Sequence, residues 1–228
     1  MITDSQTKLI GLIGHPVSHS RSPQMHNAMF KLMGLNYSYL AFDVVSEQVQ
    51  QAIEAMRALK IRGLNVTIPH KVEVMKYLDQ ISEEAEQIGA VNTIVNQDGK
   101  LIGYNTDGEG YLRSLIEETG INLSGKRILL LGAGGAARAI GYTLSNQRIG
   151  QLHLVNRNEN KAHTLKQDLE HYAEVKVFSI EQLEQAVKES DVLINTTSIG
   201  MSPNVDQSLI KKSGYTPRTL SVILSIIL

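Results

Sequence analysis

The chemistry that this chain indicates most directly is phosphate binding, at a glycine turn in the middle of the sequence. An apolar run that begins at Arg127 leads into Gly132-Ala133-Gly134-Gly135-Ala136-Ala137-Arg138. Gly132 allows a tight turn, Gly134 lets the backbone approach a pyrophosphate, and Ala137 permits close packing of a helix on a strand. The helix that follows offers free N–H groups and the positive end of its dipole. A strand before the glycines and a helix after them therefore predict a dinucleotide site.

A second group of residues bears on which dinucleotide is bound. Asn156-Arg157-Asn158 follows the second strand of the same half, where the ribose of an adenosine is expected. An acidic residue there would accept hydrogen bonds from the ribose diol and select NAD. The neutral Asn156, the cationic Arg157 and Lys161 suit a 2′-phosphate instead, which predicts NADP. The alternative is that Arg157 and Lys161 belong to a solvated helix start.

Two hydroxyls near the start of the chain, those of Ser18 and Ser20, lie in a polar loop between a strand and a helix. The carboxyl end of a strand is where α/β domains bind ligands, so the loop predicts a ligand contact. Turn formation and helix capping are the alternative for each serine. His15, His19 and His26 lie nearby, but their loop spacing and the lack of an acidic partner argue against a metal site.

A lysine, an aspartate and an asparagine are further candidates. Lys71 ends the run Asn65-Val66-Thr67-Ile68-Pro69-His70-Lys71. If Lys71 faces a cleft, partial desolvation lowers its pKa and fits it for proton transfer; otherwise it is a solvated surface lysine. Asp107, in Asn105-Thr106-Asp107-Gly108, either caps a helix or faces a ligand. Asn92 offers an amide that orients a substrate hydroxyl or caps a strand end.

Alternating strands and helices position these groups in the first hundred residues. Lys8 to Gly14 reads as a buried strand, and Ser22-Pro23 then opens a helix with Met25, Met29 and Leu32 at helical spacing. The remaining predicted elements are a strand at 37–45, a helix at 46–59 that Ser46 caps and whose Leu59 faces inward, a strand at 63–67, a helix at 82–89, and a hairpin of 90–96 with 100–104.

The second half alternates more strictly. After a helix at 106–119 and the strand before Gly132, we predict helices at 136–146, 160–171 and 180–188 and strands at 152–156, 175–178 and 192–195. This order is typical of a parallel sheet with right-handed crossovers. We therefore predict an α/β protein in which an N-terminal α/β substrate domain, 1–105, precedes a Rossmann-like NADP-binding domain, 106–228.

Composition excludes several classes of partner. The 22 Lys and Arg residues nearly balance the 23 Asp and Glu residues, so no overall basic field attracts nucleic acid or a membrane surface. The chain has no cysteine, which excludes disulfides and fits a reducing cytoplasm. The start of the chain lacks the pattern of a signal peptide, and the apolar tail at 220–228 is far shorter than the roughly 20 residues of a membrane helix.

Seven motifs, in their order along the chain, resemble those of the shikimate dehydrogenase family. They are Ser18-His19-Ser20-Arg21-Ser22-Pro23, Asn65-Val66-Thr67-Ile68-Pro69-His70-Lys71, Gly89-Ala90-Val91-Asn92-Thr93, Asn105-Thr106-Asp107-Gly108, Gly132-Ala133-Gly134-Gly135-Ala136-Ala137-Arg138, Asn156-Arg157 and Asn195-Thr196-Thr197-Ser198-Ile199-Gly200-Met201. The resemblance runs from about residue 8 to about residue 219. It implies NADPH-dependent reduction of 3-dehydroshikimate to shikimate, on the chorismate route to the aromatic amino acids, by a monomer or homodimer.

The resemblance also implies roles for individual residues. Lys71 and Asp107 would be the catalytic pair. Ser18 and Ser20 would hold the substrate carboxylate, and the ring hydroxyls would be bound by Thr67, Asn92 and Asp107. The cofactor residues implied are Gly132, Ala133, Gly134, Gly135, Ala136, Asn156, Arg157, Lys161, Thr196, Thr197 and Ser198. Asn158 stands where the family usually has threonine, which weakens one phosphate contact.

The end of the chain departs from the family pattern. Family members continue with a strand carrying Asp-x-x-Tyr-x-Pro and a helix carrying Gly-x-x-Met-Leu-x-x-Gln, whereas this chain has the apolar run 220–228, of which 223–227 could form a strand. We therefore expect a truncated or frame-shifted product without the family's C-terminal helices, and an impaired activity. The alternatives are a quinate/shikimate dehydrogenase, an inactive NADP-binding remnant and an interaction protein without a ligand.

Overall fold

The computed structural model describes residues 3–200, 205–210 and 220–223. The chain divides into two compact units between Thr106 and Asp107. None of the helices in the described ranges combines the length and the apolar character that crossing a membrane requires. Of the strand predicted at 223–227, only Ile223 is described, and residues 224–227 lie outside the described part of the chain.

The first unit is built on a mixed sheet of six strands among its described residues. Its elements are β1 (Lys8–Gly14), α1 (Ser22–Leu32), β2 (Tyr37–Asp43), α2 (Val49–Ala58), β3 (Gly63–Val66), β4 (Gln80–Ile81), α3 (Glu83–Ile88), β5 (Thr93–Gln97) and β6 (Lys100–Tyr104), with short 3-10 helices at Ser46–Gln48 and Glu73–Tyr77. The strand order is β2-β1-β3-β5-β6-β4.

The direction of β5 decides which loops of this sheet lie together. β1 pairs in parallel with β2 and β3, whereas β5 runs antiparallel to both β3 and β6. The amino end of β5 therefore lies at the same edge as the carboxyl ends of β1, β3 and β6. This edge, which we call the loop edge, collects the segments after β1, β3 and β6 and the segment before β5.

The helices of the first unit follow the predicted pattern in part. α3 agrees with the sequence, since the Ser82 side chain caps its start and Gly89 ends it with a left-handed φ of 69°. α2 buries Val49, Ile53 and Met56 as expected. However, Ser46 lies in the 3-10 helix rather than capping α2, and Leu59 is 67% exposed rather than inward, because α2 ends one residue before it.

α1 packs on the sheet with a face that the apolar spacing does not reveal. Met25, Met29 and Leu32 are 56%, 47% and 80% exposed. The half-buried side of the helix instead carries His26, which stacks on the Tyr39 ring at a centroid distance of 4.3 Å, and Asn27. The Asn27 amide bonds both the N–H and the C=O of Tyr39 at 2.9 Å, so it replaces a neighbouring strand along the edge strand β2. Ser22 is the first helical residue and not the cap, a position that Arg21 occupies.

The second unit is a doubly wound parallel sheet. Its elements are α4 (Asp107–Thr119), β7 (Arg127–Leu131), α5 (Gly135–Ser145), β8 (Gln151–Val155), α6 (Glu159–Leu169), β9 (Val175–Phe178), a 3-10 helix at Ile180–Gln182, α7 (Leu183–Lys188), β10 (Val192–Asn195) and β11 (Leu220–Ile223). The strand order is β11-β10-β7-β8-β9, with every pair parallel. The order reverses between β7 and β10, which is where dinucleotide-binding sheets hold their ligand.

Close packing around the central strand explains the residue types of this unit. Ile128, Leu129 and Leu130 of β7 are fully buried, as expected for a strand covered on both faces. At Gly108 a Cβ would meet the Thr143 hydroxyl at 2.1 Å and the Ala139 carbonyl oxygen at 2.7 Å. Only a glycine therefore lets α4 approach α5 this closely.

Candidate functional site

The loop edge of the first unit gathers five of the residues predicted to bind a substrate. Ser18 and Ser20 lie in the segment after β1, Thr67 directly follows β3, and Asn92 directly precedes β5. Lys71 lies further along the segment after β3. The sequence places these residues up to 74 positions apart, counted from Ser18 to Asn92, and the sheet brings their segments to one edge.

The serine loop differs in detail from the expectation. Ser18 is exposed, whereas Ser20 is half-buried and its Oγ accepts a hydrogen bond from the Ser22 N–H at 3.3 Å. Ser22 is only 8% exposed. Three hydroxyls rather than two are therefore available in this loop, and the buried one was not among the predicted contacts.

Lys71 is buried, with 4% of its surface exposed, so it is not the solvated surface lysine of the alternative reading. Its backbone is held from two sides. Its carbonyl oxygen accepts the Val91 N–H at 2.8 Å, and the neighbouring His70, 1% exposed, bonds the Val44 carbonyl oxygen through Nε2 at 2.6 Å. A lysine on so fixed a turn can present its ammonium in one place, as proton transfer requires.

Thr67 and Asn92 are also mostly buried, at 9% and 7% exposure. The Thr67 N–H donates to the Ile13 carbonyl at 2.9 Å, which ties the end of β3 to β1. The Asn92 Oδ1 accepts the Thr106 N–H at 3.0 Å, and its Nδ2 donates to the Thr106 Oγ1 at 3.0 Å. Asn92 thus fastens the start of β5 to the segment that leaves β6.

Two strand residues of the first unit, Tyr39 on β2 and Asn65 on β3, were not recognised as candidates from the sequence. Tyr39 is 1% exposed, and its hydroxyl donates to the Asn65 Oδ1 at 2.8 Å. Burial raises the pKa of Tyr39 to about 12. Asn65 lies in the run that ends at Lys71, so the sequence offered a reason to consider its amide as a candidate. Nothing in the sequence pointed to Tyr39, because aromatic residues are common in strands.

Asp107 is the first residue of α4 and is half-buried. It lies within the first turn of α4 and is not the residue before the helix, so it is not the N-cap of the alternative interpretation. Among the described residues, no group of three or more His, Asp or Glu side chains could hold a metal ion.

The glycine turn of the second unit has the geometry that the sequence predicts. Gly132 has a φ of +112°, and its N–H donates to the Val155 carbonyl at 2.8 Å. A Cβ on Gly132 would lie 2.5 Å from the Thr196 hydroxyl oxygen. Gly134 differs, because, apart from its chain neighbours, no atom of the described residues lies within 4 Å of a Cβ built there. Open space beside Gly134, at the start of the 11-residue helix α5, fits a pyrophosphate against free N–H groups.

The threonine turn after β10 lies beside Gly132 at the switch point. The Thr196 N–H and hydroxyl both donate to the Leu131 carbonyl oxygen, at 2.9 and 2.7 Å. The Thr197 hydroxyl donates to the Asn195 Oδ1 at 2.7 Å, and Ser198 is exposed. Ala133 is 9% exposed, and Gly135 and Ala136 are half-buried. These predicted cofactor residues therefore line one end of the β7–β10 pair.

The residues after β8 surround the expected ribose position. Arg157 and Lys161 are exposed and form no ion pair with any other described residue, whereas Asn156 is half-buried and donates to the Asn158 carbonyl at 2.8 Å. Asn158 caps α6, with its side chain accepting the Lys161 N–H at 3.3 Å. Asn158 therefore has a structural role in place of the family's threonine, and two cations remain for a phosphate.

A dinucleotide-binding sheet joined to a second α/β unit with a buried lysine among hydroxyls and amides defines a nicotinamide-dependent oxidoreductase with its own substrate domain. Family models agree with this class. Residues 12–94 match the shikimate dehydrogenase substrate binding domain, and residues 114–224 match shikimate / quinate 5-dehydrogenase. The chain belongs to the shikimate dehydrogenase family.

Individual relatives support the same assignment. Shikimate dehydrogenase (NADP(+)) from Alkaliphilus oremlandii is 46% identical over 97% of this chain and 79% of its own length. A crystal structure of a shikimate dehydrogenase in complex with NADP+ is 44% identical with a TM-score of 0.88, covering 98% of this chain and 78% of that one. The Listeria monocytogenes enzyme in complex with shikimate and NAD is 36% identical with a TM-score of 0.85, covering 98% and 80%.

Proposed function

We propose that this protein is an NADP-dependent shikimate dehydrogenase, which reduces 3-dehydroshikimate reversibly to shikimate on the chorismate route. The observation that carries the proposal is the buried Lys71 at the loop edge, among Ser20, Thr67 and Asn92, in a chain whose second unit has a complete glycine turn. The names of its relatives support the same reaction and cofactor.

The side chains of the first unit suit a small acid that carries several hydroxyls. Ser18 and Ser20 hold the carboxylate in this proposal, and Ser22 is a third donor to be tested beside them. Thr67, Asn92 and Asp107 bind the ring hydroxyls. Hydroxyls and amides both donate and accept, so they pair with alcohols in either direction. A site of this kind discriminates against analogues that lack a hydroxyl, because its buried polar groups are then left unpaired.

Lys71 and Asp107 are the proposed catalytic pair. NADPH, when bound, supplies the hydride for the ketone carbon. Negative charge then builds on the ketone oxygen, where the Lys71 ammonium stabilises it and donates the proton that completes the alcohol. In the reverse direction Lys71 accepts that proton. Asp107 is the second member of the proposed pair, a role that the family resemblance implies.

Cofactor selection follows from Arg157 and Lys161, whose charges suit the 2′-phosphate of NADP. Gly132, Ala133, Gly134, Gly135 and Ala136 receive the pyrophosphate in this proposal, and Thr196, Thr197 and Ser198 complete the cofactor site. We further propose a cytoplasmic enzyme that is a monomer or a homodimer, which size-exclusion chromatography with light scattering distinguishes.

A spectrophotometric assay tests the function. Purified protein is incubated with shikimate and NADP+, and NADPH formation is followed by absorbance, with quinate and NAD+ in parallel. We expect turnover with shikimate and NADP+ and a lower kcat/KM with either replacement. Binding of NADP+ without turnover of shikimate or quinate would contradict the proposal and identify an inactive NADP-binding protein.

A further inference from the structure

A chain of side-chain hydrogen bonds leads from β2 of the first unit to the loop edge. It runs from Tyr39 to Asn65 at 2.8 Å, from Asn65 to Thr93 at 3.3 Å, and from Thr93 to Asn92 at 2.9 Å. We call these four residues the polar relay. The relay connects β2, β3 and β5, and its last member, Asn92, is a proposed substrate ligand that directly precedes β5.

The direction of every bond in the polar relay is set from one end. The backbone N–H of Thr106 can only donate, so the Asn92 atom that it contacts at 3.0 Å is the oxygen. Thr93 must then donate its hydroxyl hydrogen to that oxygen, and its own oxygen accepts the amide N–H of Asn65. This orientation leaves the Asn65 oxygen toward Tyr39, whose O–H donates to it.

Tyr39 is the most firmly held member. Its backbone is bonded on both sides by the Asn27 amide, its ring stacks on His26 with an interplanar angle of 14°, and its side chain is almost fully buried. Because its pKa is raised, the phenol remains a hydrogen-bond donor across the pH range in which a dehydrogenase operates. A fixed donor at one end polarises the following bonds in the same sense.

We propose that Tyr39 is a positioning residue for the substrate site, which acts through Asn65 and Thr93 and, together with Thr106, holds the Asn92 amide in place for the substrate hydroxyls. This inference rests on the proposed function for the identity of the substrate. The orientation of the Asn92 amide is a property of the protein alone and is measurable without turnover.

Tyr39→Phe tests the role with the ring and its stacking kept. We expect the KM for shikimate to rise about five- to tenfold, as for the loss of one hydrogen bond that orients a ligand. The kcat and the KM for NADP+ should change little, because the cofactor residues begin at Gly132. Tyr37→Phe is the matched control on the same strand, since the Tyr37 hydroxyl makes no hydrogen bond with another described residue, and it should leave all three constants unchanged.

A substitution at a second residue of the polar relay, Thr93, tests the proposal even if Tyr39→Phe does not fold. Thr93→Val removes the hydroxyl between Asn65 and Asn92 and should raise the KM for shikimate by a similar factor, whereas Thr93→Ser should restore it. The double variant should resemble either single variant, because a relay can be broken only once. Additive effects would overturn the proposal.

The Asn92 side-chain amide provides a readout separate from activity. In a ¹⁵N-correlated NMR spectrum, its two N–H signals should shift in Tyr39→Phe and Thr93→Val but not in Tyr37→Phe. Unmoved Asn92 signals, or an unchanged KM for shikimate in both relay variants together with a lower melting temperature, would show a merely structural Tyr39. A wild-type protein that lacks turnover would refute the proposed function instead, and the NMR spectra would still decide on the relay.

Discussion

The two units build their sites from different parts of the polypeptide. In the second unit the proposed cofactor site is mainly backbone: a glycine turn, a helix start and the turn at Thr196. In the first unit the proposed site consists of side chains from separate segments, which are held by the polar relay and by the hydrogen bond between the Val91 N–H and the Lys71 carbonyl. A backbone site is encoded in a short motif, whereas a side-chain site depends on long-range pairing. The two units should therefore respond differently to substitution.

The largest effect is expected at Lys71. Lys71→Ala should lower kcat by about 10²–10⁴-fold, the range for a lost general acid, with a much smaller change in the KM for shikimate. Steady-state kinetics measure kcat and KM, and the melting temperature shows whether the variant is folded. Lys76→Ala is the control, since Lys76 is exposed and pairs only with Glu73 among the described residues. An unchanged kcat in Lys71→Ala would remove Lys71 from the mechanism.

Substitutions of Gly132 and Gly134 in the second unit should have different effects, one on the stability of the fold and the other on cofactor binding. Gly134→Ala has room in the protein, so it should leave the melting temperature unchanged and raise the Kd for NADP+ about tenfold or more, because the methyl group takes the space of the pyrophosphate. Gly132→Ala should instead destabilise the fold by about 1–3 kcal/mol, since its φ is +112° and the Cβ meets Thr196.

Gly110→Ala is the control for both glycine variants, because no atom of the described residues outside its own helix backbone lies within 4 Å of a Cβ at this position. Gly110→Ala should leave the Kd for NADP+ unchanged and should not lower the melting temperature. Thermal denaturation and calorimetric titration give the two readouts. Equal losses of stability in Gly134→Ala and Gly132→Ala would contradict the distinction between an open and a packed glycine.

Arg157 tests the side-chain part of the cofactor site. Arg157→Ala should raise the Kd for NADP+ about tenfold, through the loss of a charge-assisted hydrogen bond, and leave the Kd for NAD+ unchanged. Lys166→Ala, on helix α6 that follows Arg157, is the control for a general loss of positive charge. If both dinucleotides weaken equally in Arg157→Ala, Arg157 does not read the 2′-phosphate.

The smallest expected effect concerns a buried polar cluster at the other end of the second sheet. His153 is fully buried, between the Ser190 hydroxyl at 2.8 Å and the Gln151 side chain at 2.6 Å, and burial lowers its pKa. As the pH falls below about 6.5, the unfolded chain binds a proton at this histidine before the folded chain does. Stability is therefore lost as the pH falls through the folded-state pKa.

Urea denaturation at about pH 7.5 and about pH 5 checks this sign. His153→Gln should be less stable than wild type at the higher pH but should lose less free energy of unfolding on acidification. His163→Gln changes an exposed residue of α6 and should lose as much free energy of unfolding on acidification as the wild type does. NADP+ affinity should be unaffected by either, because Gln151 and Ser190 lie at the amino ends of β8 and β10, away from the glycine turn. A steeper acid loss in His153→Gln would contradict the assignment.

Local sequence patterns predicted the bounds of those elements whose structure depends on residues close to each other along the chain. The bounds of β1, β9 and β10 agree with the predicted strands, and the capped helix α3 agrees at both ends. Apolar spacing was insufficient on α1, where Met25 and Leu32 are exposed and Asn27 packs against β2. The helix contacts the edge strand β2, whose backbone N–H and C=O groups need a hydrogen-bonding partner. The Asn27 amide provides one, and a methionine side chain cannot.

The sequence by itself determined most of the order of strands and helices, the glycine turn at Gly132 and the family, whereas the phosphate contact of Arg157 stays a prediction. The turn and the elements depend on residues within about one helix or strand of each other, where backbone conformation and periodicity dominate. The family follows from the order of short motifs along the chain. Only the tertiary structure decided that β5 runs antiparallel, that Lys71 is buried and that Tyr39 and Asn65 are connected to Asn92. These outcomes depend on pairing between distant strands, which no local pattern specifies.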